Sequence, residues 1–312
     1  MIKISRMAMG SQFEIVTDSI PNIEQILSDA FYRLEWLEQQ LSHFDVDSHI
    51  STINRYSFEQ PVKLAPLLFD TLLTIRSWSE LTENAFDPMV GKLIKEWGFF
   101  QRGSGSETFA PAPDPNKLKI LAAQSGWKNV IMNETDSTIH FKTPEVELHL
   151  GAVGKGLAVQ MIASCLRENS VTSVLISGGG SSIVALGSSP DSNGWKIGLE
   201  HPMNSDIIFG TATISFKSLS VSSAMGQTRS DGIRTFGHIL DPRTGESLQS
   251  HDSVVVSAEN AGYGEALSTA FLIQGEMWTR EFIREHPDVG CAFFHTDECR
   301  TTVLNFPEFE PL

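Results

Sequence analysis

Residues 147–183 read ELHLGAVGKGLAVQMIASCLRENSVTSVLISGGGSSI, and the rest of the chain is organised around them. The short apolar run 146–150 predicts a strand. Gly151, Gly154 and Gly156 follow, with Lys155 between the last two. From Leu157, apolar positions recur at Ala158, Met161, Ile162, Cys165 and Leu166, the spacing of a helix with one face packed inward. Val174, Leu175 and Ile176 predict a buried strand that ends at once in Gly178-Gly179-Gly180-Ser181-Ser182. Glycines between a strand and a helix let backbone approach a ligand closely, and the free N–H groups of a first helical turn favour an anion. Lys155 adds a full positive charge there, which suggests a phosphate or pyrophosphate site. The pattern is neither a Walker loop, since no Ser or Thr follows the lysine, nor GxGxxG. Two ordinary turns are the other reading of the same residues.

The 312 residues carry a net charge of −15. That balance argues against a nucleic-acid partner and against an anionic membrane surface. An anionic substrate would need a local positive patch or a bound cation. No segment approaches a membrane-spanning apolar run, and 1–10 carry no signal-like stretch, so neither membrane insertion nor export is expected. Cys165, Cys291 and Cys299 lack metal-ligand spacing and fit a reducing, cytoplasmic setting. Cys165 reads as core, and Cys291 and Cys299 as neighbours across a hairpin.

Around the organising stretch, an alternating strand is expected from Gln12, and a long amphipathic helix from Ile23 to Leu41. His43 and His49 read as surface-loop histidines. A helix is expected over 67–81, after which Asp87, preceding Pro88, closes a turn. The Gly/Ser/Pro-rich stretch 101–116 reads as an exposed excursion. A helix near 117–123 and strands at 130–132, 195–199, 211–216 and 254–257 follow. In 237–245, GHILDPRTG, Pro and Gly mark a tight turn. The final helix spans 262–275 and places Glu265 and Thr269 on one face, a turn apart.

These motifs together resemble the ApbE-type FAD:protein FMN transferases over nearly the whole chain. The matching blocks run in order: Ala8-Met9-Gly10-Ser11; Leu41-Ser42 with Phe44-Asp45; Ala85-Phe86-Asp87-Pro88 with Val90-Gly91 and Trp97-Gly98-Phe99; 150–156, LGAVGKG; 178–182, GGGSS; 238–245, HILDPRTG; and 266–270, ALSTA. The resemblance implies an α+β fold, a single domain over 1–312 with a mixed β-sheet and packed helices. It implies a Mg2+-dependent enzyme with FAD as substrate, which transfers FMN to a Thr or Ser hydroxyl of a target protein and releases AMP. The acceptor carries a flavinylation motif, a membrane redox-complex subunit being one such partner. It further implies metal ligation by the Ala152 carbonyl, the Glu265 carboxylate and the Thr269 hydroxyl. Lys155 would sit at the FAD and take part in catalysis. Met9, Phe44, Ala85, Phe86, Asp87, His149 and Leu240 would line the nucleotide pocket. His238 would either assist proton removal from the acceptor or hold its loop. Two other activities share these residues: FAD pyrophosphate hydrolysis, and flavin binding without turnover.

The chain departs from the family pattern at four places. His149 stands where an Asp is usual, Glu265 replaces the metal-site Asp, Ser222-Ser223-Ala224 replaces Thr-Ser-Gly, and Leu157 replaces a common aromatic. A neutral histidine does not substitute for a carboxylate as an anionic acceptor, and Glu is one methylene longer than Asp.

Overall fold

A computed structural model describes residues 1–99, 111–190, 192–202 and 204–312. The excursion expected over 101–116 thus lies, up to residue 110, outside the described residues; the helix Pro115–Gln124 begins at its end. The chain forms two compact units, each discontinuous in sequence. The first comprises Met1–Gln40, Val153–Ser223 and His251–Leu312, the second Leu41–Ala152 and Ala224–Ser250.

The first unit is built on an eight-stranded sheet. In spatial order its strands are Ile2–Ala8, Ser11–Thr17, Val174–Gly178, Ser182–Leu186, Ser218–Ser223, Ser253–Ala258, Gly290–His295 and Arg300–Leu304. Every neighbouring pair is antiparallel. The α+β class expected from the sequence holds, but the expected mixed sheet is antiparallel. The reason is connectivity. Three of these pairs are hairpins closed by short turns, which only antiparallel neighbours permit. Among the described residues, the parallel pairing is a single bridge, Val90 to Glu147.

One face of this sheet packs on the helices Ile23–Leu41 and Gly154–Glu168. Leu27, Ala30, Phe31 and Leu34 of the first meet Ala158, Val159, Ile162 and Cys165 of the second over Phe13, Ile15 and Ile176. The apolar spacing read from 157–166 therefore is the buried stripe, although the helix starts three residues earlier, at Gly154. The other face is covered by a three-stranded sheet of Trp195–His201, Asn204–Ile214 and Phe309–Pro311. At the hairpin between Val174–Gly178 and Ser182–Leu186, Gly179 and Gly180 adopt φ of 61° and 73°. Side-chain-bearing residues seldom tolerate that left-handed region, so the glycines make the turn.

In the second unit, Val62–Lys63, Thr138–Phe141 and Val130–Asn133 form a small antiparallel sheet. A separate cluster of Leu93, Trp97, Leu118, Leu121, Phe236 and Leu240 supports the 237–245 turn. Residues 146–150, expected as a strand, form none. Only Glu147 bridges to Val90, and Leu150–Ala152 is a 3-10 turn. The apolar alternation is real, since Val146, Leu148 and Leu150 are buried. Their backbone is satisfied by other means: the Asn54 amide accepts the Leu148 N–H at 2.7 Å and donates to its carbonyl at 2.9 Å. His149 N–H donates to the Pro88 carbonyl at 2.7 Å.

Candidate active site

The glycine-rich loop and the helix Ala261–Gln274 meet in the first unit. Gly156 lies in the first turn of the helix Gly154–Glu168, and a Cβ there would stand 2.5 Å from the Ala261 carbonyl and 2.7 Å from Glu265 Oε2. Only glycine allows this approach. It brings Gly156 N–H to Glu265 Oε2 at 2.6 Å, so the carboxylate accepts an otherwise unpaired N–H of the helix start. Glu265 Oε1 accepts from the Ser182 hydroxyl. The carboxylate is buried, and burial pushes its pKa up to about 7 against the opposing pull of the Lys155 charge and these two hydrogen bonds. Lys155 Nζ donates to Ser181 Oγ at 2.8 Å. One turn after Glu265, Thr269 Oγ1 lies 3.4 Å from Ser222 Oγ, which is also 2.8 Å from Ser268 Oγ. Met9, in the left-handed region at φ 50°, closes the adjacent hairpin, its Cε within 3.6 Å of a Cβ built on Gly154.

Lys155, Glu265, Thr269 and Met9 all lie in the first unit. The partners that sequence reading did not assign are Ser181, Ser182 and Ser222. The signal was available: polar residues directly after a glycine turn, and serines at every second position of Ser218–Ser223.

Could these residues hold a divalent cation? Among the described residues, no group of three or more His, Cys, Asp or Glu has metal-binding geometry. A cation at Glu265 would therefore draw on a carboxylate and hydroxyls, hard oxygen donors of the kind magnesium takes together with waters and substrate phosphate. Among the described residues the buried carboxylate accepts from a backbone N–H and a hydroxyl and forms no salt bridge, and a divalent cation placed there would favour its ionised form. The donor set fits.

The remaining candidates lie in the second unit. Asp87 is buried and accepts the Met89 N–H at 2.8 Å and the Trp127 N–H at 3.2 Å; burial pushes its pKa up to about 6. It closes a turn, as its place before Pro88 suggested. Ala85 and Phe86 beside it are buried. His149 Nδ1 accepts the Gly151 N–H at 3.3 Å, and burial, with His43 beside it, lowers its pKa to about 3. His149 is therefore neutral at physiological pH. His43, expected on a surface loop, is instead half-buried and tilts against His149 at 4.1 Å between ring centres, with Phe44 on its other side at 3.8 Å. His49 is exposed, as expected. Ala152 ends the 3-10 turn Leu150–Ala152.

His238 N–H donates to the Gln227 carbonyl at 3.0 Å, and its Nδ1 accepts the Gln227 N–H at 3.2 Å. Leu240 is buried, and Asp241 ties its own turn, accepting the Gly245 N–H through its carbonyl at 2.8 Å and Arg243 through its carboxylate at 2.9 Å. The three cysteines are free, Cys165 and Cys291 buried and Cys299 exposed.

The ApbE family profile matches residues 9–293. The chain belongs to the ApbE family. Within it, the chain is 26% identical over 313 residues to the FAD:protein FMN transferase of Klebsiella pneumoniae, covering 99% of this chain and 94% of that one. To the FAD:protein FMN transferase of Treponema pallidum it is 27% identical over 299 residues, 88% of this chain and 78% of the relative. The fold matches two solved ApbE structures. The ApbE protein of Thermotoga maritima superimposes with a TM-score of 0.85 at 22% identity, covering 97% of this chain and 96% of that one. The flavin transferase ApbE of Vibrio cholerae gives 0.84 at 22% identity, with 99% of each covered. Among the described residues, no helix of this ApbE family member is long and apolar enough to cross a membrane.

Proposed function

We propose that this chain is an FAD:protein FMN transferase, moving FMN from FAD to a Thr or Ser hydroxyl of a target protein. The reading rests above all on the buried Glu265 carboxylate set against the glycine-rich helix start beside Lys155, in a chain whose curated relatives bear that name. In the reaction, the acceptor's hydroxyl oxygen bonds to the FMN phosphorus of FAD. The bond from that phosphorus to the bridging oxygen breaks, AMP leaves with that oxygen, and the hydroxyl proton passes to water.

Lys155 and the helix-start N–H groups of Gly154 and Lys155, that of Gly156 being taken by Glu265, bind the pyrophosphate. Glu265 and Thr269, together with the Ala152 carbonyl, would hold a magnesium ion, which neutralises charge on the phosphates when bound. Met9 in the first unit and Phe44, Ala85, Phe86, Asp87, His149 and Leu240 in the second are the residues assigned to nucleotide binding. His238, whose Nδ1 is engaged by Gln227, holds its hairpin. Residues 1–312 act as one ApbE-like domain, a reading supported by a family match that runs through both units. The acceptor carries a flavinylation motif, as a membrane redox-complex subunit would, and the free cysteines suit a cytoplasmic reaction.

The test is AMP release from FAD and magnesium, with and without an acceptor bearing such a motif. AMP matched by FMN on the acceptor is expected. Free FMN with no acceptor would make the chain a hydrolase, and FAD bound without AMP release would make it a flavin binder; either overturns the proposal.

A further inference from the structure

Two neighbouring serines on one hairpin hold the two opposite charges of the site. Ser181 accepts from Lys155 Nζ at 2.8 Å, and Ser182 donates to Glu265 Oε1. Both follow the Gly179–Gly180 turn, whose positive φ values fix the backbone that presents them. Ser182 is pinned in a buried strand start, paired with Gly178 and Ser220. Ser181 is half-buried at the turn itself.

The arrangement has an alternative. Lys155 is the strongest charge acting on the Glu265 carboxylate, and in a buried setting opposite charges are drawn into direct contact. A lysine paired to that carboxylate would be lost to a phosphate, and the carboxylate lost to a cation. The two groups are instead each tied to a neutral hydroxyl. A hydroxyl suits both tasks, since it accepts from an ammonium and donates to a carboxylate.

We propose that Ser181 and Ser182 are positioning residues that keep Lys155 and Glu265 apart, Ser181 aiming the lysine at the FAD pyrophosphate and Ser182 keeping the carboxylate open to a divalent cation. The inference rests on the transferase reading for the identity of the ligand. It assigns the GGGSS hairpin a task of sorting charge and gives the two serines separable effects.

The experiment measures two quantities on the full chain: FAD affinity in EDTA, by flavin fluorescence, and the magnesium concentration giving half-maximal AMP release. Ser181→Ala is expected to weaken metal-free FAD binding about tenfold, the size of one hydrogen bond to a charged group. Combined with Lys155→Ala it should add nothing further, because the serine acts through the lysine. Ser182→Ala should raise the half-saturating magnesium about tenfold, with metal-free FAD affinity moving less than about threefold. Ser182→Thr, which keeps the hydroxyl, should restore the magnesium dependence. Metal-free FAD affinity unchanged in Ser181→Ala, half-saturating magnesium unchanged in Ser182→Ala, or half-saturating magnesium raised about tenfold over wild type in Ser182→Thr overturns the proposal. Should Ser182→Ala not fold, the Ser181→Ala and Ser182→Thr arms decide. A wild-type protein that binds FAD but releases no AMP would sink the transferase reading alone, since the FAD-affinity arm still tests Ser181.

Discussion

Two glutamates, one in each unit, are buried to nearly the same extent, with 5% of Glu147 and 7% of Glu265 exposed, yet they are held in opposite ways. Glu147 sits between two lysines, Lys95 at 2.5 Å and Lys92 at 3.8 Å, and its backbone carries the bridge to Val90. Its charge is cancelled on the spot. Glu265 has a backbone N–H and a hydroxyl as partners, with Lys155 held off on Ser181. Burial alone therefore does not mark a functional carboxylate. A paired buried charge closes structure, whereas one held only by neutral donors retains the capacity to bind something else.

The sharpest way to break this comparison is Glu265→Gln, which keeps shape and removes the charge. AMP release should fall at least about 100-fold, the loss typical of removing one electrostatic contributor, while the melting temperature in EDTA changes little. Similar losses of turnover and stability would show Glu265 to be as structural as Glu147.

Next in size is a pH effect in the second unit. Asp87 has a folded pKa raised to about 6 from 3.8. The folded state holds this proton more tightly than the unfolded chain does. Its contribution to stability is therefore complete below pH 4 and is lost as pH rises through about 6. His149, lowered to about 3, works the other way: its contribution is present above pH 6.5 and is lost as pH falls towards 3. Asp87→Asn should remove a decline of about 2 kcal/mol between pH 4 and 6, measured by urea denaturation on a His149→Gln background. Identical pH profiles with and without Asp87 would contradict the assignment.

The smallest effect is expected at Glu147. Its lysines are partly exposed and recover water when the carboxylate goes. Glu147→Gln should cost about 1–2 kcal/mol of stability, below the figure for a fully buried pair, and leave AMP release per folded molecule within about twofold. A loss of turnover larger than the loss of stability would place Glu147 in the chemistry and erase the contrast.

Legibility in the sequence followed the same division between local and long-range causes. The helix Ile23–Leu41 was readable to the residue because its apolar stripe is periodic and it needs no distant partner to be recognised. The Glu265–Thr269 spacing was readable for the same reason. Residues 146–150 misled because alternation reports burial, and here burial comes without a ladder; the Asn54 side chain that substitutes for a neighbouring strand lies 94 positions away. His43 misled because the ring that covers it, His149, is equally remote in sequence. Ser181 and Ser182 stood in a recognised motif, but their partners at Lys155 and Glu265 depend on how the helices dock.

The contact between Gly156 N–H and Glu265 spans 109 positions. It has a consequence during synthesis. A nascent chain that has emerged only through the GGGSS hairpin already carries Lys155 and its glycine turn, yet lacks the carboxylate that completes the site. The site comes into being only when Ala261–Gln274 docks against the bare backbone of Gly156. A chain that ends before Glu265 therefore lacks the carboxylate on which the proposed chemistry depends.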